Sequence, residues 1–302
     1  MLGVVFCIMI ANGQYPTKRV FFIGNSLTST NDLPSLLREV GNAPNSIMRF
    51  TTEENLPGGS FLRYHADKNY TLYTGALDQI HNGGWDFVVL QEQSGFWDQL
   101  NIPNYQMWPD ILATATKNIN AYPVFLSTWP EQNVADYSQK LIIITDAYSQ
   151  AADRNNAYCA PCGDALFKIR QEKGANLVYI DNIHPTYTAQ VLNAYVLYST
   201  LTGSSPVGLC VNFNVYNNTQ LQHYAWDTYT MYRRKQNDFC TIYRKQGAVS
   251  CVQFFNDSTP LFTPVCAPKT DDPVLSLAAI LGISAVAVVV VIVVFKCRHW
   301  CS

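Results

Sequence analysis

Short apolar runs alternate with amphipathic segments along the first two thirds of the chain. Runs rich in Val, Ile and Phe predict buried strands, and they occupy residues 19–23, 47–52, 85–90, 123–129 and 176–180. Between them, apolar residues recur at helical spacing over 33–40, 111–118, 134–155 and 188–202. Alternating strands and helices are typical of a parallel, doubly wound sheet, so the pattern predicts an α/β domain.

Glycines or polar residues follow four of the five predicted strands. They are Ser26 after the first strand, Gly58 and Gly59 after the second, Gln91, Glu92 and Gln93 after the third, and Asp181 and His184 after the fifth. The carboxyl ends of parallel strands lie at one edge of the sheet, where open α/β domains bind their ligands. We therefore expect these residues to lie close together at that edge.

Ser26, His184 and Asp181 are the residue types of a serine-nucleophile mechanism. Serine is a weak nucleophile until a base takes its proton, which histidine does near neutral pH. A carboxylate beside the histidine fixes its tautomer and stabilises the imidazolium. The oxyanion then needs donors, for which the Ser26 amide, a glycine amide and a side-chain amide are candidates. The α/β-hydrolase elbow Gly-x-Ser-x-Gly does not fit, because Thr28 occupies its last position.

The residues around Gly24, Asn25 and Ser26, the glycine pair, the amides after the third strand and the Asp181-x-x-His184 motif resemble the SGNH, or GDSL-type, hydrolases. The similarity covers residues 18–209 and is greatest to the subset whose first block reads Gly-Asn-Ser. It implies a flavodoxin-like, three-layer α/β/α fold with a parallel five-stranded sheet. It also implies a metal-free and cofactor-free serine esterase acting on acylated carbohydrates or lipid esters.

The same resemblance assigns roles to particular residues. Ser26 is the nucleophile, His184 the base, Asp181 the orienting acid, and Gly59 contributes an oxyanion amide beside that of Ser26. The chain departs from the family pattern at Asn25, where an aspartate is usual, and in its third block. That block lacks the asparagine that donates to the oxyanion, so its substitute is one of two amides, Gln93 or Gln91, with Gln93 slightly favoured.

Composition excludes a nucleic-acid partner. The 302 residues carry 20 Lys and Arg against 22 Asp and Glu, a formal charge of -2, and the one basic run is the short 233–235. Cys159-Ala-Pro-Cys162 has no second cysteine pair at matching spacing, so we interpret it as a structural disulfide and not as a zinc or redox site. We expect His65 and His81 to be loop or surface residues. Trp85, Trp97 and Trp129 are predicted core residues, with a sugar-binding cleft as the alternative.

Both ends of the chain are hydrophobic. Residues 1–13 resemble a signal peptide, since about ten apolar residues precede small ones. The apolar run 274–295 is long enough for a transmembrane helix, and Lys296 and Arg298 follow it on the side predicted to be cytoplasmic. We therefore predict a type I membrane protein with a hydrolase-like domain at 14–209, a cysteine-containing stalk at 210–273 and a tail at 296–302. A further helix is predicted at 221–235, packed on the core.

The predicted extracellular part carries six cysteines and three glycosylation sequons. The cysteines suggest disulfides of open pairing; they are Cys159, Cys162, Cys210, Cys240, Cys251 and Cys266. The sequons begin at Asn69, Asn217 and Asn256. The expected function is a membrane-anchored extracellular esterase that removes acetyl or other small acyl groups from carbohydrate. The alternatives are a catalytically weak or inactive binding protein on the same fold and a lipid acyl hydrolase.

Overall fold

A parallel sheet of five strands forms the centre of the protein. The computed structural model describes residues 15–95, 100 and 106–245, with side chains as far as Arg234. The strands are β1 (Thr17–Ile23), β2 (Arg49–Asn55), β3 (Phe87–Leu90), β4 (Tyr122–Leu126) and β5 (Tyr158–Ala160), in the order β2-β1-β3-β4-β5. Every pairing is parallel. The prediction of a parallel five-stranded sheet with this flavodoxin-like order is confirmed.

The register brings the ends of the three neighbouring strands β2, β1 and β3 level. Ile23, the last residue of β1, pairs with Asn55 of β2 and with Leu90 of β3. The residues that follow these strands therefore start from one edge of the sheet. This edge carries the turn with Ser26, the glycine turn (residues 57–60) and the Gln-Glu-Gln loop (residues 91–93).

The predicted fifth strand at 176–180 is wrong, and β5 lies instead at Tyr158–Ala160. Residues 175–177 form a short 3-10 helix, and Ile180 is 61% exposed. The backbone of this segment pairs within its own loop, because Ile180 N–H donates to the His184 carbonyl and Thr186 N–H donates to the Val178 carbonyl. Its backbone N–H groups therefore bond within the loop that carries the candidate base, and the three residues of β5 complete the sheet.

Helices cover both faces of the sheet. They are α1 (Ser26–Ser29), α2 (Leu33–Gly41), α3 (Leu62–Ala66), α4 (Ala76–Gly83), α5 (Met107–Asn118), α6 (Tyr137–Arg154), α7 (Cys162–Lys173), α8 (Tyr187–Thr202) and α9 (Asn218–Lys245). The helices predicted at 33–40, 111–118, 134–155, 188–202 and 221–235 are confirmed with shifted ends. Asp32 caps α2, its side chain accepting from Ser35 N–H.

Successive residues of β1 point to opposite faces, which produces two hydrophobic cores. Val20 and Phe22 belong to the core beneath α2, α7, α8 and α9. Phe21 and Ile23 belong to the core beneath α3, α4, α5 and most of α6. The sheet is therefore the middle layer of three, as expected.

The two cores explain why the Cys-Ala-Pro-Cys motif is not a disulfide. Cys159 lies in one core and Cys162 in the other, on opposite faces of the sheet, and both are free and buried. The interpretation of this pair as a structural disulfide is therefore wrong. Cys210 is disulfide-bonded. Cys240, Cys251 and Cys266 lie outside the described side chains.

Several predictions concern segments outside the described residues: the signal peptide 1–13, the stalk beyond α9, the transmembrane run 274–295, the tail 296–302, Trp97 and Asn256. Among the described helices, none combines the length and apolar character that crossing a bilayer requires. The sequon residue Asn69 is exposed, and Asn217 lies on the surface just before α9. Their glycosylation stays a prediction.

Candidate active site

Ser26 is the first residue of α1, directly after β1. Asn25 is the N-cap of this short helix, and its side-chain oxygen accepts from Leu27 N–H at 3.0 Å. The strand delivers Ser26 to the sheet edge, and the cap turns the chain so that its hydroxyl is half-buried and reachable from solvent. The sequence Gly-Asn-Ser thus builds a nucleophile turn, which we define as residues 24–28.

Gln91 fixes the nucleophile turn from the next strand. Its Oε1 atom accepts from Asn25 N–H at 3.0 Å and from the Thr28 hydroxyl at 2.9 Å. Its Nε2 group donates to Asn25 Oδ1 and to the Glu92 carbonyl. Gly24 is required by this packing, since a Cβ atom there would lie 2.5 Å from Gln91 Oε1. Both hydrogens of the Gln91 amide are used, so Gln91 has no donor left for an oxyanion.

The loop 180–186 brings the candidate base to the nucleophile. His184 Nε2 lies 2.9 Å from Ser26 Oγ, and His184 Nδ1 lies 2.7 Å from Asp181 Oδ2. The other oxygen of Asp181 accepts from the backbone N–H groups of Ile183 and His184, each at 2.8 Å. These two backbone hydrogen bonds, with the contact to His184, lower the pKa of the Asp181 carboxyl to about 2. Asp181 is therefore an anion across the working range of a histidine base.

Three contacts hold the loop 180–186 in place. The buried Trp129 donates from Nε1 to the Ile183 carbonyl at 2.9 Å. Asn31 donates to the Pro185 carbonyl at 2.8 Å. Thr186 caps α8 by accepting from Ala189 N–H. Trp129 is a core residue with this one polar contact, and Trp85 is a core residue stacked on Phe21, so neither lines an open cleft.

Gln190 joins the helix after the base to the helix that carries the nucleophile. It is fully buried on α8, and its Nε2 group contacts the carbonyls of Leu27, Thr28 and Thr30 at 2.8 to 3.1 Å. These carbonyls are at the end of α1, where helical acceptors lack partners. The contact fixes the distance between α1 and the start of α8, and thereby the spacing of Ser26 and His184.

Three donors at this edge bond to no acceptor among the described residues. They are the backbone N–H groups of Ser26 and Gly59 and the side-chain amide nitrogen of Gln93. Gly59 has φ +68, a left-handed conformation that favours glycine, and it is exposed. Gln93 is oriented through its oxygen, which accepts from Gly95 N–H at 2.6 Å. Among the described residues, the side-chain amide of Gln93 therefore keeps a donor without an acceptor, whereas that of Gln91 does not.

Two buried polar residues of the site were not anticipated. Glu92 is 4% exposed, and its Oε1 atom accepts from Leu62 N–H at 3.1 Å and Gln93 N–H at 2.7 Å, which ties α3 to the Gln-Glu-Gln loop. His65 is fully buried on α3 and bonds to the Gly24 carbonyl. The expectation of a loop or surface position is wrong for His65, which is buried in a helix, and confirmed for the exposed His81. In the sequence, the only signal for Glu92 and His65 was that each lies in or next to a loop of the site.

The described residues hold no cluster of three His, Cys, Asp or Glu side chains placed to bind a metal ion. The chemistry available at this edge is that of the hydroxyl, imidazole and carboxylate chain itself. A hydroxyl that donates to an imidazole, with amide donors nearby, can attack a carbonyl carbon and stabilise the tetrahedral adduct. Acyl transfer is the reaction class that uses every one of these groups.

Comparison with known structures reveals the same architecture elsewhere. No protein-family model matches the sequence, and no curated protein resembles it significantly. The chain is similar to the crystal structure of a DUF4886 family protein from Bacteroides uniformis, with TM-score 0.56 and 18% identity over 69% of this chain and 93% of that one. It is also similar to a protein from Slackia heliotrinireducens assigned as an SGNH hydrolase, with TM-score 0.49 and 28% identity over 61% of this chain and 99% of that one. A third is an acetylxylan esterase from Geobacillus stearothermophilus, with TM-score 0.48 and 13% identity over 61% and 94% of the two chains.

Proposed function

We propose that this chain, which has the SGNH hydrolase fold, is a serine esterase whose nucleophile is Ser26. The observation that carries the proposal is the continuous chain from Ser26 Oγ to His184 Nε2 at 2.9 Å and from His184 Nδ1 to Asp181 Oδ2 at 2.7 Å. Three residues from two distant parts of the sequence meet within hydrogen-bond distance in the order that acyl transfer needs.

Acylation begins when Ser26 Oγ attacks the ester carbonyl carbon while its proton passes to His184 Nε2. The Asp181 carboxylate accepts a hydrogen bond from His184 Nδ1–H and stabilises the imidazolium that forms. The tetrahedral adduct then collapses, the C–O bond to the alcohol breaks, and His184 returns its proton to the departing oxygen. Deacylation repeats these steps with water as the nucleophile, so that the acid leaves and Ser26 is regenerated.

The oxyanion of each adduct is stabilised by the N–H groups of Ser26 and Gly59 and by the amide of Gln93. Their lack of other acceptors among the described residues supports this assignment. A donor that is already oriented requires no reorganisation when the charge develops, and one such donor contributes about 10²-fold or more to kcat. Gln93 thus takes the part that the missing third-block asparagine has in the family.

The substrate we propose is a small acyl ester, such as acetate, on an extracellular carbohydrate. The openness of the site supports this, since the Asp181 side chain is 51% exposed, that of His184 29%, and Gly58 and Gly59 are exposed. A bulky glycan can reach Ser26 from solvent in such a site. We also propose that residues 274–295 anchor the chain as a type I membrane protein, because this apolar run ends at Lys296 and Arg298.

The deciding experiment is ester hydrolysis by the purified full-length protein, with acetylated oligosaccharides and p-nitrophenyl esters of increasing chain length. The Ser26→Ala variant should lose turnover, whereas Ser29→Ala, which changes an exposed serine of the same helix α1, should retain it. Preference for long acyl chains would instead assign a lipid acyl hydrolase. No turnover, together with no labelling of Ser26 by a fluorophosphonate, would contradict the esterase and leave a binding protein on this fold.

A further inference from the structure

His65 is a buried histidine with a hydrogen bond at each ring nitrogen. Its Nδ1 atom lies 2.8 Å from the Thr74 hydroxyl, and its Nε2 atom lies 3.0 Å from the Gly24 carbonyl and 3.1 Å from Ser60 Oγ. A fully buried imidazole that is hydrogen-bonded at both nitrogens has little side-chain freedom. Losing either partner would leave a buried polar atom without a hydrogen bond. Its contacts are with the two loops of the proposed oxyanion hole and with the Thr74 segment that precedes α4.

The Gly24 carbonyl, which is two residues before the nucleophile, is where these contacts converge. It accepts from Ser60 Oγ at 2.6 Å as well as from His65. In return, Asn25 Nδ2 donates to the Ser60 carbonyl at 2.9 Å. The nucleophile turn and the glycine turn are therefore joined by buried hydrogen bonds at Gly24, Asn25, Ser60 and His65.

The protonation of His65 fits this role. Burial lowers its pKa to about 4, so the ring is neutral over the range in which a histidine base operates. A neutral imidazole has one donor and one acceptor. Since a carbonyl oxygen can only accept, Nε2 carries the proton and donates to Gly24, and Nδ1 accepts from the Thr74 hydroxyl.

We propose that His65 is a positioning residue that holds the glycine turn against the nucleophile turn, so that the Ser26 and Gly59 amides are directed at one oxyanion. The inference rests on the proposed esterase function and deepens it. His65 touches no reacting atom, and its effect passes through the Gly24 carbonyl and Ser60. Misplacing catalytic donors by about 1 Å is enough to cost about 10²-fold in rate.

Two substitutions of His65 by an amide, His65→Gln and His65→Asn, test whether the hydrogen bond to the Gly24 carbonyl matters apart from the loss of the ring. A glutamine amide nitrogen reaches about as far as Nε2 of histidine, whereas that of asparagine reaches only as far as Nδ1. His65→Gln keeps a donor for Gly24 and should retain kcat within about fivefold, while His65→Asn should lower kcat about 30-fold or more with KM little changed. Ser60→Ala, which removes the other donor to Gly24, should behave like His65→Asn and serves if His65→Asn does not fold.

The full-length variants are measured for p-nitrophenyl acetate turnover, thermal midpoint and amide hydrogen exchange in peptides covering 22–29 and 56–62. Positioning predicts faster exchange in both peptides for His65→Asn and protection near that of wild type for His65→Gln. Equal exchange and equal kcat in the two folded variants would overturn it, as would a fall in thermal midpoint without a fall in kcat. An inactive wild-type protein would contradict the esterase proposal. The positioning role of His65 would still be tested, because hydrogen exchange is measured without turnover.

Discussion

Gln91 and Asn25, which are 66 positions apart in the chain, exchange two hydrogen bonds in the buried interior beside the nucleophile. Asn25 N–H donates to Gln91 Oε1 at 3.0 Å, and Gln91 Nε2 donates back to Asn25 Oδ1 at 3.1 Å. These two hydrogen bonds hold the end of β3 against the turn that follows β1. Because these bonds use Gln91, our proposed oxyanion donor is Gln93, the other of the two glutamines that the sequence left as alternatives.

Gln91→Ala and Gln93→Ala should therefore fail in different ways. The first leaves buried polar groups of Asn25 and Thr28 without a partner, which costs about 2 to 4 kcal/mol of stability. Gln93→Ala removes a proposed oxyanion donor from the loop after β3. It should lower kcat by about 10² with the thermal midpoint nearly unchanged. Paired measurement of kcat and thermal midpoint checks this, and the reverse pattern would assign the oxyanion role to Gln91.

Asn25→Asp tests the departure from the usual family sequence. The Asn25 side chain is 2% exposed, and its Nδ2 group donates to the Ser60 carbonyl. An aspartate would place a carboxylate oxygen against that carbonyl and bury a charge, so we expect a loss of about 2 to 4 kcal/mol and reduced activity. Denaturant unfolding measures the loss. A variant as stable as wild type would show that the Asn25 contact with Ser60 contributes little.

Gln190→Glu should lower activity from a position that no substrate reaches. The change replaces the amide that contacts the carbonyls of Leu27, Thr28 and Thr30 by an oxygen that repels them. We expect about 2 to 4 kcal/mol of destabilisation and slower fluorophosphonate labelling of Ser26, because α1 shifts relative to His184. Gln190→Met, which removes the donor without adding charge, should lie between this variant and wild type. Labelling at the wild-type rate in the folded Glu variant would contradict the coupling.

Much of the site could be predicted from sequence because it depends on local patterns. Apolar runs located β1 to β4 to within a few residues, and the parallel order placed their ends at one edge. Ser26, Asp181 and His184 were recognisable because a turn or loop of fixed length carries each of them. Their meeting at 2.9 and 2.7 Å depends on how the loop 180–186 packs through Trp129 and Asn31, which pattern alone does not contain.

The features that were missed depend on tertiary burial. β5 is three residues long and contains no branched or large apolar side chain except Tyr158, so it resembled part of a cysteine motif. His65 and Gln190 are polar residues with zero exposure. Nothing in the sequence reveals that each of them is buried against backbone carbonyl groups of the site. Cys159 and Cys162 are close in sequence, but the sheet lies between their side chains.

Asp181→Asn tests the carboxylate in two independent ways. An amide at this position would present a donor to His184 Nδ1, favour the wrong tautomer and lower kcat by about two to four orders of magnitude. Stability should change with pH as well. The pKa of Asp181 is lowered in the folded protein from 3.8 to about 2, so the ionised carboxylate stabilises the folded state above about pH 4, and this contribution is lost as pH falls towards 2.

The measurement is the thermal midpoint of wild type and of Asp181→Asn between pH 2 and pH 6. The difference between the two proteins should be largest above pH 4 and should shrink as the pH falls to 2. Asn182→Ala is the matched control, because Asn182 is an exposed neighbour in the same loop. Its backbone carbonyl accepts from Gln132 N–H and survives the change, and its side chain makes a long, exposed contact of 3.4 Å with Asn133 Nδ2. It should follow wild type in both kcat and pH dependence. A constant difference across the range would mean that the Asp181 carboxylate does not stabilise its loop through the Ile183 and His184 amides.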